Sequence, residues 1–258
     1  MLYRYNDLSK GQQAVSPYAQ SVLANLTKRI TDPAFPCYFA KKVLPKNSLY
    51  LTFVENFSDQ TDMFRQGMEA LSIYAEIERN PDPYRVFVLS FDVNTANWEQ
   101  DNQLMWQFIH YLIQHDPQPW SPDIPQTTDE AGWSVSFMGM PWFFNLNSHN
   151  HTHRNSRNVT DTFSLIIQRT DSFEKLLSSE LNDGQREQQR QVIRKEIRGR
   201  VAAYDGQSVS PALAGEPDNL QHLEWVQFHI PNLNTEKPQA KCPFMHQASA
   251  ASFNPSIQ

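Results

Sequence analysis

Residues 49–93 read LYLTFVENFSDQTDMFRQGMEALSIYAEIERNPDPYRVFVLSFDV. Its first nine residues, LYLTFVENF (49–57), are rich in β-branched and aromatic side chains and predict a strand. From 59 to 79 the period changes. Phe64, Met68, Leu71 and Ala75 recur at helical spacing and share one face. Asn80-Pro81-Asp82-Pro83 is a turn, and RVFVLSFDV (85–93) is apolar enough to be a strand covered on both sides. This alternation of strands and a helix, with an adjacent strand pair later in the chain, suggests a mixed α/β sheet covered by helices.

Working outward, Val15, Tyr18, Val22, Leu26 and Ile30 predict a helix over 12–31, ended by Asp32-Pro33. A third helix is expected over 97–115, followed by a Pro-rich ordered loop at 116–132. WSVSFMGMPWFFNLN (133–147) and TFSLIIQRT (162–170) predict two more strands, separated by the polar loop SHNHTHRNSRN (148–158). A long charged helix is expected over 172–203, breakable near Asn182-Asp183-Gly184, with Val192, Ile193, Ile197 and Val201 on its core side. Beyond 205 the chain is mostly loop, with one aromatic stretch, LEWVQFHI (223–230), and a polar tail at 246–258 expected to be disordered. The fold class is α/β (mixed α+β): a single domain over 1–245, with a mixed sheet covered by helices.

The 258 residues carry 22 Lys+Arg and 28 Asp+Glu, a net charge of −6, which argues against a nucleic-acid binder. The eight glycines are isolated, and neither G-x-G-x-x-G nor G-x-x-x-x-G-K-[ST] occurs, so the common phosphate-cradling loops are missing. The start, MLYRYNDLSKGQQA, has no apolar core of a secretory signal, and no run approaches 18 apolar residues. Two cysteines make no disulfide framework. A cytoplasmic protein with no membrane partner is the expectation.

The densest chemical feature is His149, His151 and His153. In an extended segment, alternate residues point to one side, so the three could face one metal ion, or form a solvated polar loop. Arg154 and Arg157 follow directly. Their planar forks suit an anionic ligand, or pairing with acids such as Asp161 or Asp171. Cys242, in Lys-Cys-Pro-Phe, has the chemistry of a thiolate haem ligand or of a plain reduced thiol. Cys37 reads as a small buried group at a strand edge. Glu55, ending the first strand of the pair, could hold a cationic group such as a guanidinium, or face solvent.

In order, these pieces resemble the YqcI/YcgG family of bacterial proteins. The resemblance rests on FPCYFA (35–40), LYLTFVENF (49–57), PWSPDIP (119–125) and W-x-V-x-F-x-G-x-P-x-F-F (133–144). It continues through His149, Arg154 and Arg157, Phe173-Glu174, IRGRVAAYDG (197–206), EWVQF (224–228) and CPF (242–244). It departs from the family pattern at Asn150, where a proline usually follows the histidine, and at Thr170, where a histidine usually stands.

The resemblance implies a monooxygenase that uses haem b and O₂ to hydroxylate an amine or guanidine nitrogen of an amino-acid-like substrate. It implies His149 as axial iron ligand, Cys242 as the rival, and Arg154 and Arg157 as partners of the haem propionates. Glu55 is the candidate carboxylate for the substrate. An electron donor is required, and a homodimer is allowed. The alternative is a non-catalytic haem or small-molecule binding protein of the same fold, to which Thr170 would point. A third possibility is a histidine-loop metalloenzyme using Zn²⁺ or Fe²⁺.

Overall fold

The computed structural model describes residues 1–37, 40–130, 132–172, 182–211 and 223–236. In chain order the elements are β1 (Tyr3–Arg4), α1 (Tyr5–Ser9), α2 (Pro17–Ile30), α3 (Ala40–Val43), β2 (Leu49–Val54), α4 (Gln60–Glu78) and β3 (Val86–Phe91). Then come α5 (Trp98–Gln114), β4 (Val135–Phe137), β5 (Met140–Asn147), β6 (Ser164–Arg169) and α6 (Asp183–Asp205), with short 3₁₀ turns at Asn155–Arg157 and Glu224–Gln227. The strands form one six-stranded mixed sheet in the order β1-β2-β3-β6-β5-β4.

The helices begin where local chemistry offers a cap. Ser16, Asp59 and Asn97 each accept the backbone N–H three residues on, satisfying one of the donors a helix start leaves open. Pro17 at the first position explains why α2 starts five residues later than periodicity suggests. Asn182 forms a reciprocal capping box with Gln185, so the expected break near 182–184 is the start of α6.

β2 and β3 pair in parallel, with Leu49 opposite Val86 and Val54 opposite Phe91, and α4 is their crossover. Alternation then sorts their side chains into two cores. Tyr50, Val54, Phe87, Leu89 and Phe91 face α4 and α5, together with Trp142, Phe144 and Leu146 of β5. Leu49, Leu51 and Val88 face the layer of α1, α2 and α3, with Tyr5, Leu8, Leu26 and Val43. Gly67 lets α4 press close, since a Cβ there would stand 3.0–3.1 Å from the rings of Phe108 and Phe91.

Four expectations need correction. The stretch 133–147 is two strands, β4 and β5, because Met138 and Gly139 both take positive φ (55° and 71°) and turn the chain into a tight hairpin. β1 and α1 were not anticipated; two residues of strand and five of helix are too short to show a period. Cys37 is exposed rather than buried, since Phe35 fills the neighbouring core position. Val192 is also exposed, while the partly buried side of α6 runs through Ile193, Ile197 and Val201. No helix among the described residues is long and apolar enough to cross a membrane. The tail at 246–258 and Cys242 lie outside the described residues.

Candidate functional site

β3 runs antiparallel to β6, and β6 antiparallel to β5. β2, β3 and β5 therefore all point the same way, and their carboxyl ends lie along one edge of the sheet. Ligands in open α/β sheets collect outside such ends, because the loops there converge while the strands hold them rigid. Here the edge receives Glu55 after β2, Asp92 after β3 and the histidine loop after β5.

The register aligns these ends. Ser164, the first residue of β6, lies opposite both Ser90 and Asn147. Its hydroxyl shares a 2.8 Å bond with that of Ser90 and accepts a 2.8 Å bond from Thr160. At the β2–β3 end, Tyr18 of α2 reaches the Thr162 hydroxyl at 3.5 Å. Burial raises the Tyr18 phenol, and the negative fields of Asp92 and Glu55 add to the shift. Neither Glu55 nor Asp92 has a salt-bridge partner among the described residues.

Asp101 organises the histidine loop from α5. Fully buried, its carboxylate accepts from Thr95 Oγ1 at 2.5 Å, from Asn150 Nδ2 at 2.9 Å and from Ser148 Oγ. Asn150 also reaches Thr95 Oγ1 at 3.1 Å, and His149 Nε2 meets the Thr95 carbonyl at 3.2 Å. His149 is thus half-buried and anchored through a neutral backbone group.

The three loop histidines do not share a side. The segment is turned rather than extended, passing into the 3₁₀ turn Asn155–Arg157, so the alternation that would align them is lost. His149 goes to Thr95, His153 is exposed, and His151 is buried with Nε2 3.1 Å from the Ile230 carbonyl. Among the described residues, no three His, Cys, Asp or Glu side chains converge to hold a bare metal ion.

Both arginines turn inward. Arg154 donates from Nε to the Pro231 carbonyl (2.7 Å) and from Nη2 to Asn234 Oδ1 (2.8 Å), with Nη1 3.5 Å from Asp205 Oδ2. Arg157 donates to Asn145 Oδ1 (2.6 Å) and to the carbonyls of Gln227 (2.9 Å) and Phe228 (3.4 Å). Leu146 N–H also donates to the Phe228 carbonyl. Residues 227–231 therefore form a strap whose carbonyls are taken up by the loop beneath. The acid beside these arginines is Asp205, whereas Asp171 pairs with Arg169. Burial pushes the Arg157 guanidinium down to about 9, and the neighbouring Arg154 charge adds to the shift.

The strap carries His229, 6% exposed, stacked on Trp98 (ring centroids 4.8 Å, 18° between planes). Neither of its ring nitrogens makes a well-formed hydrogen bond, and neither does Nδ1 of His151. The two rings stand 6.4 Å apart. Burial pushes both imidazoles down to about 3; for His229 the His151 and Arg157 charges add to this, and only the Trp98 backbone acts the other way. At neutral pH both are uncharged and offer free lone pairs. His229 also lines a shallow depression with Trp106, Trp225 and Val226.

In the sequence, His229 is one residue of the aromatic stretch LEWVQFHI and carries no spacing signal of its own. Asp101 had a legible signal, an acid on the same helical face as Met105, Phe108 and Leu112. Thr170 lies at the far end of β6, bonded to Ser134 at 2.7 Å. Six residues at about 3.3 Å each put it roughly 20 Å from the histidine loop.

The family model described as the YqcI/YcgG family matches residues 26–245. A Streptomyces lavendulae protein named "Putative N(omega)-hydroxy-L-arginine synthase DcsA" is 32% identical over 227 residues, covering 85% of this chain and 81% of that protein. "Uncharacterized protein YqcI" of Bacillus subtilis (strain 168) is 28% identical over 253 residues, covering 95% and 94%. No solved structure matches the chain.

Proposed function

This chain belongs to the YqcI/YcgG family, and from that premise we propose that it is a haem-dependent monooxygenase hydroxylating an amine or guanidine nitrogen of an amino-acid-like substrate. The carrying observation is the likeness to the Streptomyces lavendulae protein, whose name describes N-hydroxylation of L-arginine and which this chain matches over most of both lengths. In such a reaction one oxygen atom of O₂ enters an N–H bond and the other leaves as water, with two electrons from an external donor.

Two features support haem as the cofactor. The buried imidazoles are neutral, and their flank is aromatic, with Trp98, Trp106 and Trp225 around His229. The surround is also electropositive, since Arg157 touches no carboxylate among the described residues. A bare dication would be repelled there, whereas iron carried by an anionic macrocycle with two propionates would not. Bound haem would supply the O₂-activating iron.

The protein's own part lies in binding and orientation. Glu55, half-buried after β2, and Asp92, exposed after β3, supply negative charge for a substrate guanidinium or ammonium at the mouth of the edge. His149, the imidazole that the family likeness puts first, would bind through Nδ1 while Nε2–H stays on the Thr95 carbonyl. That is the usual arrangement of a ligating histidine and its outer partner. Arg154 and Arg157 keep the histidine loop and strap together, and to meet propionates they would have to release strap carbonyls. Cys242 is the thiolate alternative.

The test is absorption spectroscopy of purified protein titrated with hemin, then turnover with L-arginine, O₂ and a chemical reductant. A Soret band and an N-hydroxylated product are expected. No Soret band sinks the cofactor, and a Soret band without product from any amino-acid substrate favours a binding protein.

A further inference from the structure

We infer that the outward face of α6 is the docking surface for the electron donor, an acidic one-electron carrier protein such as a ferredoxin or flavodoxin; the inference rests on the haem reading above. From Arg186 to Arg200 the helix carries six basic residues against two acids, Glu187 and Glu196, in a chain whose net charge is −6. Arg194 and Lys195 are exposed and Arg198 is half-buried, and none of the three pairs with an acid among the described residues.

At about 100° per residue, these three cations fall within one sector of the helix, while Glu196 lies on the opposite side from Arg194 and Arg198. Like charges four residues apart weaken a helix, and Arg194 and Arg198 stand at that spacing. Burial lowers the Arg198 guanidinium, and the Arg194 charge adds to the shift with no acid acting the other way. The cluster gives this chain no stability, whereas a negatively charged partner relieves the repulsion.

The same face has a small apolar spot and a flat one. Val192, three residues before Lys195, is 67% exposed. Gly199 follows Val192 by two turns, and a Cβ there would meet nothing within 4 Å. That glycine weakens the helix with no packing reason inside this chain, and it lets a partner's backbone come close. Redox encounters use such small interfaces, steered by charge.

The helix leads to the candidate site. Asp205, its last residue, accepts from the Ser156 N–H and hydroxyl at 2.7 Å each and stands 3.5 Å from Arg154. Arg198 is seven residues earlier, about 10 Å along the axis. N-hydroxylation consumes two electrons, so two reduced carriers dock in turn, and each leaves oxidised by one electron as O₂ is reduced to the product oxygen and water. An anionic membrane fits less well, because Ile193, Ile197 and Val201 lie on the partly buried side and only Val192 is left to enter a bilayer. A nucleic acid would meet the acidic remainder of the chain.

The experiment measures, by calorimetry at low and high salt, the binding of an oxidised plant-type 2Fe–2S ferredoxin and of a flavodoxin to the full-length chain without hemin. Wild type should bind at low salt and lose the carrier at high salt. Arg194→Glu/Lys195→Glu, at two exposed positions, should weaken binding about tenfold. Gly199→Gln, which changes no charge and favours the helix, should weaken it about threefold by bulk alone. The charge-matched control Arg65→Glu/Arg79→Glu, on α4 across the sheet, should change it less than about twofold. In a second arm, reduction of the hemin-loaded protein by the reduced carrier should slow in the α6 variants, and reduction by dithionite should not.

Equal binding by wild type and the α6 reversal, or equal weakening by the α4 control, overturns the inference. So does failure of both carriers to bind wild type, or binding of α6 to phosphatidylglycerol vesicles in their place. Each of these leaves the haem reading standing. Carrier binding that the α6 variants lose, by a wild type that takes up no hemin, upholds the docking surface and removes the haem reading.

Discussion

Arg157 donates from Nη2 to the carbonyl of Gln227, 70 residues further along the chain, at 2.9 Å. With His151 on Ile230 and Arg154 on Pro231, it ties the strap to the loop that follows β5. The strap and the 3₁₀ turn before it add Phe228, Trp225 and Val226 to the core above β5, and the Phe228 ring meets Phe143 edge-on at 5.2 Å. These arginines are therefore the joint between two segments that the sequence keeps far apart.

Arg157→Met is expected to destabilise the protein by about 2 kcal/mol, because the Gln227 carbonyl loses its donor, while Asn145 Oδ1 keeps Asn147 Nδ2 and the Phe228 carbonyl keeps the Leu146 N–H. Removing the buried charge offsets part of the loss. Urea unfolding, followed by tryptophan fluorescence, checks it. A midpoint within error of wild type would mean the strap is not held by this side chain.

Asp101→Asn should cost about 2 kcal/mol and loosen His149. The carboxylate accepts from Thr95, Ser148 and Asn150 at once, and an amide replaces one acceptor oxygen with a donor that faces them. The measurements are thermal melting and the His149 ring resonances by NMR. Unchanged ring shifts would remove Asp101 from any positioning role.

Acid should destabilise the fold through His151 and His229. Their folded values near 3 lie below the ordinary 6.5, so the unfolded chain takes up protons first. Stability is complete above about pH 7 and falls as pH drops toward 3, by about 2 kcal/mol per histidine at pH 5. His229→Phe keeps the stack on Trp98 and should remove roughly half of this slope between pH 7 and 5. Chemical denaturation at several pH values reads it directly.

Gly139→Ala should cost about 1 kcal/mol. Its φ of 71° favours glycine, and an added Cβ would stand 2.7 Å from Gln118 Oε1, a flexible group that can give way. Equilibrium unfolding decides it, and a gain in stability would mean the β4–β5 turn tolerates another shape.

The sequence by itself determined the strand–helix–strand unit at 49–93, the helices α2, α4 and α5, and the strand β6. In the helices, 14 to 19 residues of regular apolar spacing agree with a capping residue, and the strands are six-residue runs rich in apolar side chains. It also singled out the 148–158 loop, because three histidines and two arginines in nine residues stand out in composition alone. Where those side chains point was decided by tertiary structure. An imidazole or guanidinium has no periodic partner in the sequence, and its direction follows from which distant carbonyl must be satisfied once both are buried. So His149 met Thr95, Arg157 met Gln227, and His229, one aromatic-flanked residue in a short irregular stretch, came to lie beside His151. A register that brings the ends of β2, β3 and β5 to one edge depends on pairing between residues as far apart as Phe87 and Ile167, and only the closed sheet enforces it.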